Sequence, residues 1–179
     1  MTQLKNIAAL IFVFGVIIRF GDACNGYSLK ILKAKNCLDD SVIKLPEKDF
    51  GVTLDNDCNL YGYGCLEITK GFKSAKTTYH VKKPPLPQMD GDIELCDMTD
   101  LLKKSPDIAK TLEVMGVPTK CPVEAKKVCG SEDKKISLGK YKNQIGMGAG
   151  KTDVKLEIEH DTGKSCIELT VSLSKVRKG

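Results

Sequence analysis

The chain has 179 residues, a formal net charge of +5, 41% hydrophobic residues, 6% aromatic residues and no tryptophan. Its basic residues cluster only as pairs such as Lys82-Lys83 and Lys126-Lys127. A nucleic-acid-binding domain usually concentrates its basic residues on one face or stripe. We therefore expect no nucleic-acid partner, and a core built mainly from Val, Ile and Leu.

Residues 1–23 have the pattern of a secretory signal peptide. Lys5 supplies the positive start, residues 7–18 form an apolar run, and Gly21-Asp22-Ala23 offers small residues at the cleavage site. The run is shorter than a membrane-spanning helix needs, which disfavours the alternative of an uncleaved anchor. We expect the mature protein to be one domain over residues 24–179.

Eight cysteines follow the leader and none precedes it. An even cysteine count in an exported chain predicts disulfides formed in an oxidising compartment. Removing a leader with Lys5, Arg19 and Asp22 leaves 26 basic and 22 acidic residues, a charge of +4. The sequence holds no Asn-x-Ser/Thr site, so we expect no N-linked glycan.

Hydrophobic periodicity of two dominates the mature chain and predicts half-buried strands. The strand predictions rest on Tyr27, Leu29 and Ile31; Phe50, Val52 and Leu54; Leu66 and Ile68; Thr77 to Val81; Val154, Leu156, Ile158 and His160; and Ile167, Leu169, Val171 and Leu173. Residues 161–164 predict a hairpin turn in which Gly163 supplies positive φ where it is needed. Many short strands with turns between them are typical of a β-sandwich or β-cup.

Three segments interrupt the strand pattern. Ser105-Pro106, followed by apolar residues at helical spacing up to Gly116, predicts a short inserted helix. Residues 84–87 (PPLP) predict an exposed extended loop, because proline cannot enter a central strand. Residues 144–150 predict a flexible glycine-rich loop.

No motif in the chain predicts catalysis, a metal or a cofactor. The GMGAG segment at 146–150 is followed by a strand pattern, whereas a phosphate-binding loop leads into a helix. His80 and His160 are the only histidines, and the cysteine spacing does not fit a zinc site. No G-x-S-x-G elbow is present. We expect no catalytic residue, no metal ligand and no cofactor.

Several motifs in the second half resemble a known family. They are the LCDMTDL run at 95–101, GVPTKCP at 116–122, and KSCIEL at 164–169 with Ser172-Leu173; Asn36-Cys37 matches near the start. Together they resemble the ganglioside activator proteins of the ML (MD-2-related lipid-recognition) superfamily, including insect-type relatives. The likeness is specific over 95–122 and 161–174. A tight cysteine pair that the family has before the Cys-Asp step is missing here.

The resemblance implies a β-cup with an apolar cavity that lifts a lipid from a membrane. It also implies disulfides between Cys37 and Cys166 and between Cys96 and Cys121. Cys24, Cys58, Cys65 and Cys129 are then extra. The sequence leaves the pairing of these four open: Cys58 with Cys65 as a hairpin staple is one candidate, and Cys24 with Cys129 then follows by elimination.

The same resemblance assigns candidate sites to the strand faces and loops. For the lipid-binding cavity we expect the apolar strand residues Leu54, Leu66, Ile68, Phe72, Tyr79, Val81, Leu156, Ile158, Leu169 and Val171. For a membrane-contacting rim we expect the loop residues Leu86, Met89, Ile145 and Met147. A closed core and ordinary surface residues are the alternatives, because apolar strand faces usually pack as core.

The functional prediction is a secreted, non-catalytic lipid-binding or lipid-transfer protein of the sphingolipid activator kind. The expected partners are a lipid or other small apolar ligand, a membrane surface in transient contact, and a glycosidase. The expected location is extracellular or lysosomal. Three alternatives remain: a chemosensory protein that binds a small apolar ligand, a disulfide-rich interaction protein of saliva or venom, and a hydrolase of unfamiliar type.

Overall fold

The computed structural model describes residues 24–97 and 120–176, which form a mainly β structure with four disulfides. The strands are β1 (Tyr27–Asn36), β2 (Ile43–Lys44), β3 (Gly51–Leu54), β4 (Asn59–Tyr63), β5 (Cys65–Ile68), β6 (Ala75–Lys82), β7 (Met89–Glu94), β8 (Lys126–Cys129), β9 (Ile136–Ser137), β10 (Gly150–His160) and β11 (Gly163–Lys175). Short 3-10 turns span Cys24–Gly26, Gly139–Tyr141 and Ile145–Gly148. The predicted mainly β fold class is therefore confirmed.

The largest sheet has five antiparallel strands in the order β1-β11-β10-β6-β7. Its two longest strands, β10 and β11, are joined by the tight turn predicted at this point, with His160 opposite Gly163. Gly163 has φ 150°, and a Cβ there would lie 3.0 Å from Cγ2 of Val42. Glycine therefore suits the turn both by its backbone conformation and by its close packing.

Two three-stranded sheets, β2-β5-β8 and β3-β4-β9, pack against one face of the five-stranded sheet. We call this covered face the inner face and the opposite one the outer face. Side chains alternate between the faces along each strand, so residues two apart share a face. The even-numbered residues of β10 from Thr152 to His160 and the odd-numbered residues of β11 from Ser165 to Leu173 therefore share the inner face, as the register shows.

Two apolar clusters join the small sheets to the inner face at its opposite ends. The first, which we call the closed core, consists of Val42, Ile68, Phe72, Ala75, Val123 and Ile158, all buried. The second, the disulfide core, consists of Cys24, Leu54 and Cys58, with Leu29, Leu138, Ile145 and Leu173 packed against it. The closed core lies near the β10–β11 turn, and the disulfide core lies where β10 begins and β11 ends.

All eight cysteines are paired, and two predicted bridges, Cys37–Cys166 and Cys96–Cys121, are confirmed. For the four cysteines whose pairing the sequence left open, the candidate pairs Cys58–Cys65 and Cys24–Cys129 are wrong. The bridges are Cys24–Cys58 and Cys65–Cys129.

The strand β4 explains the corrected pairing, because it separates Cys58 from Cys65. Cys58 precedes β4 and reaches Cys24 in the disulfide core. Cys65 begins β5 directly opposite Cys129 of β8, a strand that the sequence pattern did not predict.

The connecting segments differ in part from the sequence prediction. The Pro84–Pro87 segment is exposed but tightly turned rather than extended, since the Leu86 N–H donates to the Lys83 carbonyl at 2.8 Å. The 144–150 segment contains a 3-10 turn. The predicted leader at 1–23 and the predicted helix at 105–116 lie outside the described residues. Among the described residues, no helix is long and apolar enough to cross a membrane.

Candidate functional site

The middle of the inner face is apolar but only half-buried, unlike the two cores on either side of it. Six side chains on three adjacent strands form this region, which we call the inner band: Tyr79, Val81, Val154, Leu156, Leu169 and Val171. All six have intermediate exposure, whereas Ile158 in the closed core is 5% exposed. The inner face is therefore buried most completely near the β10–β11 turn, where the closed core covers it.

Strand register brings the inner band together. Val154 on β10 lies opposite Val81 on β6 and opposite Leu169 on β11, while Leu156 lies opposite Tyr79. Such directly opposed side chains lie about 4.5–5.5 Å apart at Cβ, so the band is a continuous apolar surface. Gly91 on β7 makes room for the Tyr79 ring, which occupies the space that a Cβ at position 91 would need.

The predicted cavity residues divide between the cores and the inner band. Leu54 lies in the disulfide core, and Ile68, Phe72 and Ile158 lie in the closed core. Leu66 is half-buried against the closed core. The remaining five predicted residues belong to the inner band: Tyr79, Val81, Leu156, Leu169 and Val171. Val154 is a sixth member, whose alternating position on β10 already placed it on the same face.

The two loops predicted to form a rim meet in space. The Nζ atom of Lys83, in the β6–β7 turn, donates to the carbonyl of Met147 at 3.3 Å. Leu86, Met89 and Met147 are exposed, with Met147 reaching 76%. Ile145 differs from the prediction, because it turns inward and packs against the disulfide core.

The outer face carries the polar side chains of the same strands and forms a groove of about 490 Å³. Its polar lining consists of Lys33, His80, Lys82, Gln88, Asp153, Lys155, Glu168 and Thr170. Edge strand β1 contributes Lys30, Lys33 and Lys35 to this face, and edge strand β7 contributes Asp90, Asp92 and Glu94. Charge therefore changes sign across the outer face.

A hydrogen-bonded chain orders one side of this groove. His80 Nδ1 lies 2.7 Å from Asp90 Oδ1, and His80 Nε2 lies 3.2 Å from Glu157 Oε2. Gln88 donates to Asp90 at 2.8 Å, and Lys155 donates to Glu157 at 2.9 Å. The hydrogen bond to Asp90, and then that to Glu157, raises the pKa of His80 above its ordinary value.

The second histidine, His160, is buried at the closed end of the inner face. Its Nε2 lies 3.0 Å from the hydroxyl oxygen of Ser165, and its ring centroid is 4.4 Å from that of Phe72. Burial lowers the pKa of His160, which favours the neutral ring. Ser165 is 1% exposed, so the hydrogen bond between the serine and the histidine lies in the interior of the fold.

Within residues 24–97 and 120–176, no three His, Cys, Asp or Glu side chains are grouped so that they could hold a metal ion. The sequence did not predict the hydrogen bonds that His80 makes, because the register of β6 with β7 and β10 brings positions 80, 90 and 157 together. Alternation of polar residues on these strands was the only available signal, and it predicts a solvated face rather than specific partners.

Comparison with known proteins gives one informative similarity and no family assignment. No family model matches the chain, so the resemblance to the ML superfamily is not confirmed. The chain is 28% identical over 153 residues to the sporozoite-associated mosquito saliva protein 1 of Anopheles gambiae, covering 85% of this chain and 84% of that protein. This similarity and the four disulfides support an extracellular location and give no support to a lysosomal one.

Proposed function

We propose that this protein is a secreted, salivary-type, non-catalytic binding protein that holds an aliphatic chain against its inner band. The salivary assignment comes from the similarity to a mosquito saliva protein. The ligand assignment comes from one observation: six apolar side chains on three adjacent strands remain half-buried between the closed core and the disulfide core.

The energetics of burial favour a ligand with a hydrocarbon chain. Moving a 16-carbon chain from a membrane into water costs about 0.8 kcal/mol of free energy per methylene, or about 13 kcal/mol in all, and binding to the protein must offset this cost. Only an apolar surface shielded from water returns such an amount. The inner band contains one aromatic ring, that of Tyr79, and five aliphatic side chains, so its composition suits a flexible chain.

The rim gives this proposal a route for the ligand. Leu86, Met89 and Met147 are exposed at the end of the five-stranded sheet where β6 ends and β10 begins. Lys82 and Lys151 are exposed on the same ends of these strands. Apolar side chains beside lysines favour contact with a membrane surface, where the apolar groups insert and the lysines meet anionic headgroups.

A second candidate function is binding of a protein or cell surface through the outer face. The ordered groove there offers hydrogen-bond donors and acceptors, and the related saliva protein is named for its association with sporozoites. In this case the inner band is simply a less tightly packed core. The salivary similarity fits both candidates.

Native mass spectrometry of the secreted protein tests the ligand proposal. We expect a co-purified molecule that is lost under denaturing conditions and contains an aliphatic chain. Incubation with phospholipid should return the lipid chemically unaltered. A ligand-free protein that also fails to take up lipid would leave the outer-face candidate.

Two rim variants test the route. We expect Leu86→Asp and Met147→Asp each to slow lipid extraction from vesicles severalfold, because insertion of a large apolar side chain contributes about 1.5–3 kcal/mol when it is fully buried. Leu32→Asp is the matched control, since Leu32 is equally exposed but lies within edge strand β1. All three should melt near the wild-type temperature, because exposed substitutions change stability little. Equal slowing by the control would reject the rim.

A further inference from the structure

Two buried polar atoms on the inner face have no hydrogen-bond partner among the described residues. They are the hydroxyl oxygen of Thr77 and Nδ1 of His160. Thr77 is 5% exposed and His160 is 9% exposed. Buried polar groups in native proteins are almost always hydrogen-bonded, and an unmade bond costs about 1–3 kcal/mol. Two such atoms in one interior call for a specific explanation.

Strand register makes Thr77 and His160 diagonal neighbours at the end of the inner band. Thr77 on β6 lies opposite Ile158 on β10, and His160 is the next inner-face residue along β10. Diagonal neighbours of this kind are about 7–8 Å apart along the sheet, so the two side chains flank the same part of the inner face. Tyr79, the next inner-face residue of β6, belongs to the inner band, so Thr77 lies directly beyond the band.

The hydrogen bonds around Ser165 determine what His160 offers. The backbone N–H of Ile43 donates to the Ser165 hydroxyl oxygen at 2.8 Å. The Ser165 hydroxyl proton is then available to the ring nitrogen Nε2 of His160, 3.0 Å away. With the hydroxyl oriented in this way, Nε2 accepts and the proton of the neutral ring resides on Nδ1, so the unpartnered atom is a donor in this tautomer. The Thr77 hydroxyl can donate as well.

The surroundings of these donors favour an uncharged oxygen as their acceptor. Phe72, Ala75 and Ile158 are buried beside them. An ionised carboxylate would lose its hydration in such an environment without a paired cation, at a cost far above that of a neutral oxygen. The oxygen of an alcohol, an ester carbonyl or a protonated carboxyl can accept hydrogen bonds from the same donors at a much smaller desolvation cost.

We propose that Thr77 and His160 form a polar subsite that receives an uncharged oxygen carried at the end of the aliphatic chain. This inference rests on the proposed binding function and narrows its ligand class to long-chain alcohols, esters and undissociated fatty acids. The aliphatic chain of the ligand lies along the inner band, and its oxygen-bearing end lies at Thr77 and His160, beside the closed core.

Ligands of equal length test the subsite. Hexadecan-1-ol and hexadecane are the probes, measured by displacement of a fluorescent fatty-chain reporter. Preference is the Kd for hexadecane divided by the Kd for hexadecan-1-ol. We expect this ratio to be about tenfold higher for the wild-type protein than for the Thr77→Val variant, because the variant loses one buried hydrogen bond to a neutral group. Binding of hexadecane should be unchanged, since valine matches threonine in shape.

Thr152→Val is the matched control, because Thr152 lies on the inner face at the other end of β10. It should keep the wild-type preference for the alcohol. An equal preference in wild type and Thr77→Val would overturn the subsite, and a lower melting temperature of Thr77→Val with no change in preference would assign the pair to a structural water. Failure of the wild-type protein to bind either probe would overturn the binding function itself.

Discussion

The closed core and the inner band meet on strands β6 and β10, contain mainly apolar side chains, and differ in how completely they are covered. Ile158 is buried against Ile68 and Val42, whereas Leu156, two residues earlier on β10, is half-buried. The difference arises because β2 and β5 pack on the inner face near the β10–β11 turn. Alternating apolar residues thus predict an inner face, while the covering sheets decide which part of it is buried as core and which part remains half-buried.

The largest expected effect comes from removing the bridge that holds the closed end. Cys37–Cys166 joins the segment after β1 to β11 with a sequence separation of 129. Replacing both cysteines with serine should cost about 4–5 kcal/mol in the chain-entropy model, where longer loops lose more. Calorimetric unfolding of the double variant would measure this cost.

The Cys65–Cys129 double variant provides the comparison for that bridge. Both of its cysteines are exposed, and it closes a separation of only 64. Its removal should lower the melting temperature less, because no buried packing is lost with it. The reverse order of melting temperatures would contradict the role assigned to the closed end.

A pair of truncations sharpens the contrast between core and band. Ile68→Ala should cost about 2–5 kcal/mol, because Ile68 is 2% exposed and its truncation leaves a cavity. Val154→Ala should cost about 1 kcal/mol, since the side chain is only half-buried. Chemical denaturation measures both values.

The effects of the two truncations on ligand affinity should have the opposite order to their effects on stability. Val154→Ala should weaken binding of a fatty-chain probe severalfold under conditions where Ile68→Ala is still folded and binds normally. If both truncations cost the same stability and leave binding unchanged, the inner band is core.

The smallest expected effects concern the two histidines and have opposite signs. The folded-state pKa of His80 is raised, so its stabilising contribution is complete below about pH 6.5 and is lost as pH rises through the folded value. The folded-state pKa of His160 is lowered, so its contribution is complete above about pH 6.5 and is lost as pH falls toward the folded value.

Melting temperatures from pH 5 to 8 would separate these contributions. The His160→Gln variant should lose less stability than wild type on the acid side. The His80→Gln variant should lose less on the alkaline side. Profiles parallel to wild type in both variants would remove both assignments.

Much of the five-stranded sheet was predictable from the sequence, because its strands obey a strict period of two. The shared faces predicted for Val154 to His160 and for Ile167 to Leu173 are confirmed by the register of β10 with β11. Two strands of the small sheets, β8 and β9, have four and two residues and carry no such pattern. Their pairing, and with it the Cys65–Cys129 bridge, depends on contacts between distant segments.

The candidate site was predictable only in part for the same reason. Periodicity places Leu169 and Ile158 on one face but does not show which of them the small sheets cover. The exposed positions of Leu86 and Met147 followed from proline and glycine in their loops, while the inward turn of Ile145 depends on the disulfide core.

Residue-level photolabelling tests the central claim most directly. A 16-carbon alcohol with a diazirine in mid-chain would be bound, irradiated and mapped by tandem mass spectrometry. The account predicts labels on the inner-band residues Tyr79, Val81, Val154, Leu156, Leu169 and Val171. Labels on their outer-face neighbours Thr78, His80 and Lys155 instead, or no labelling above that of the denatured protein, would contradict it.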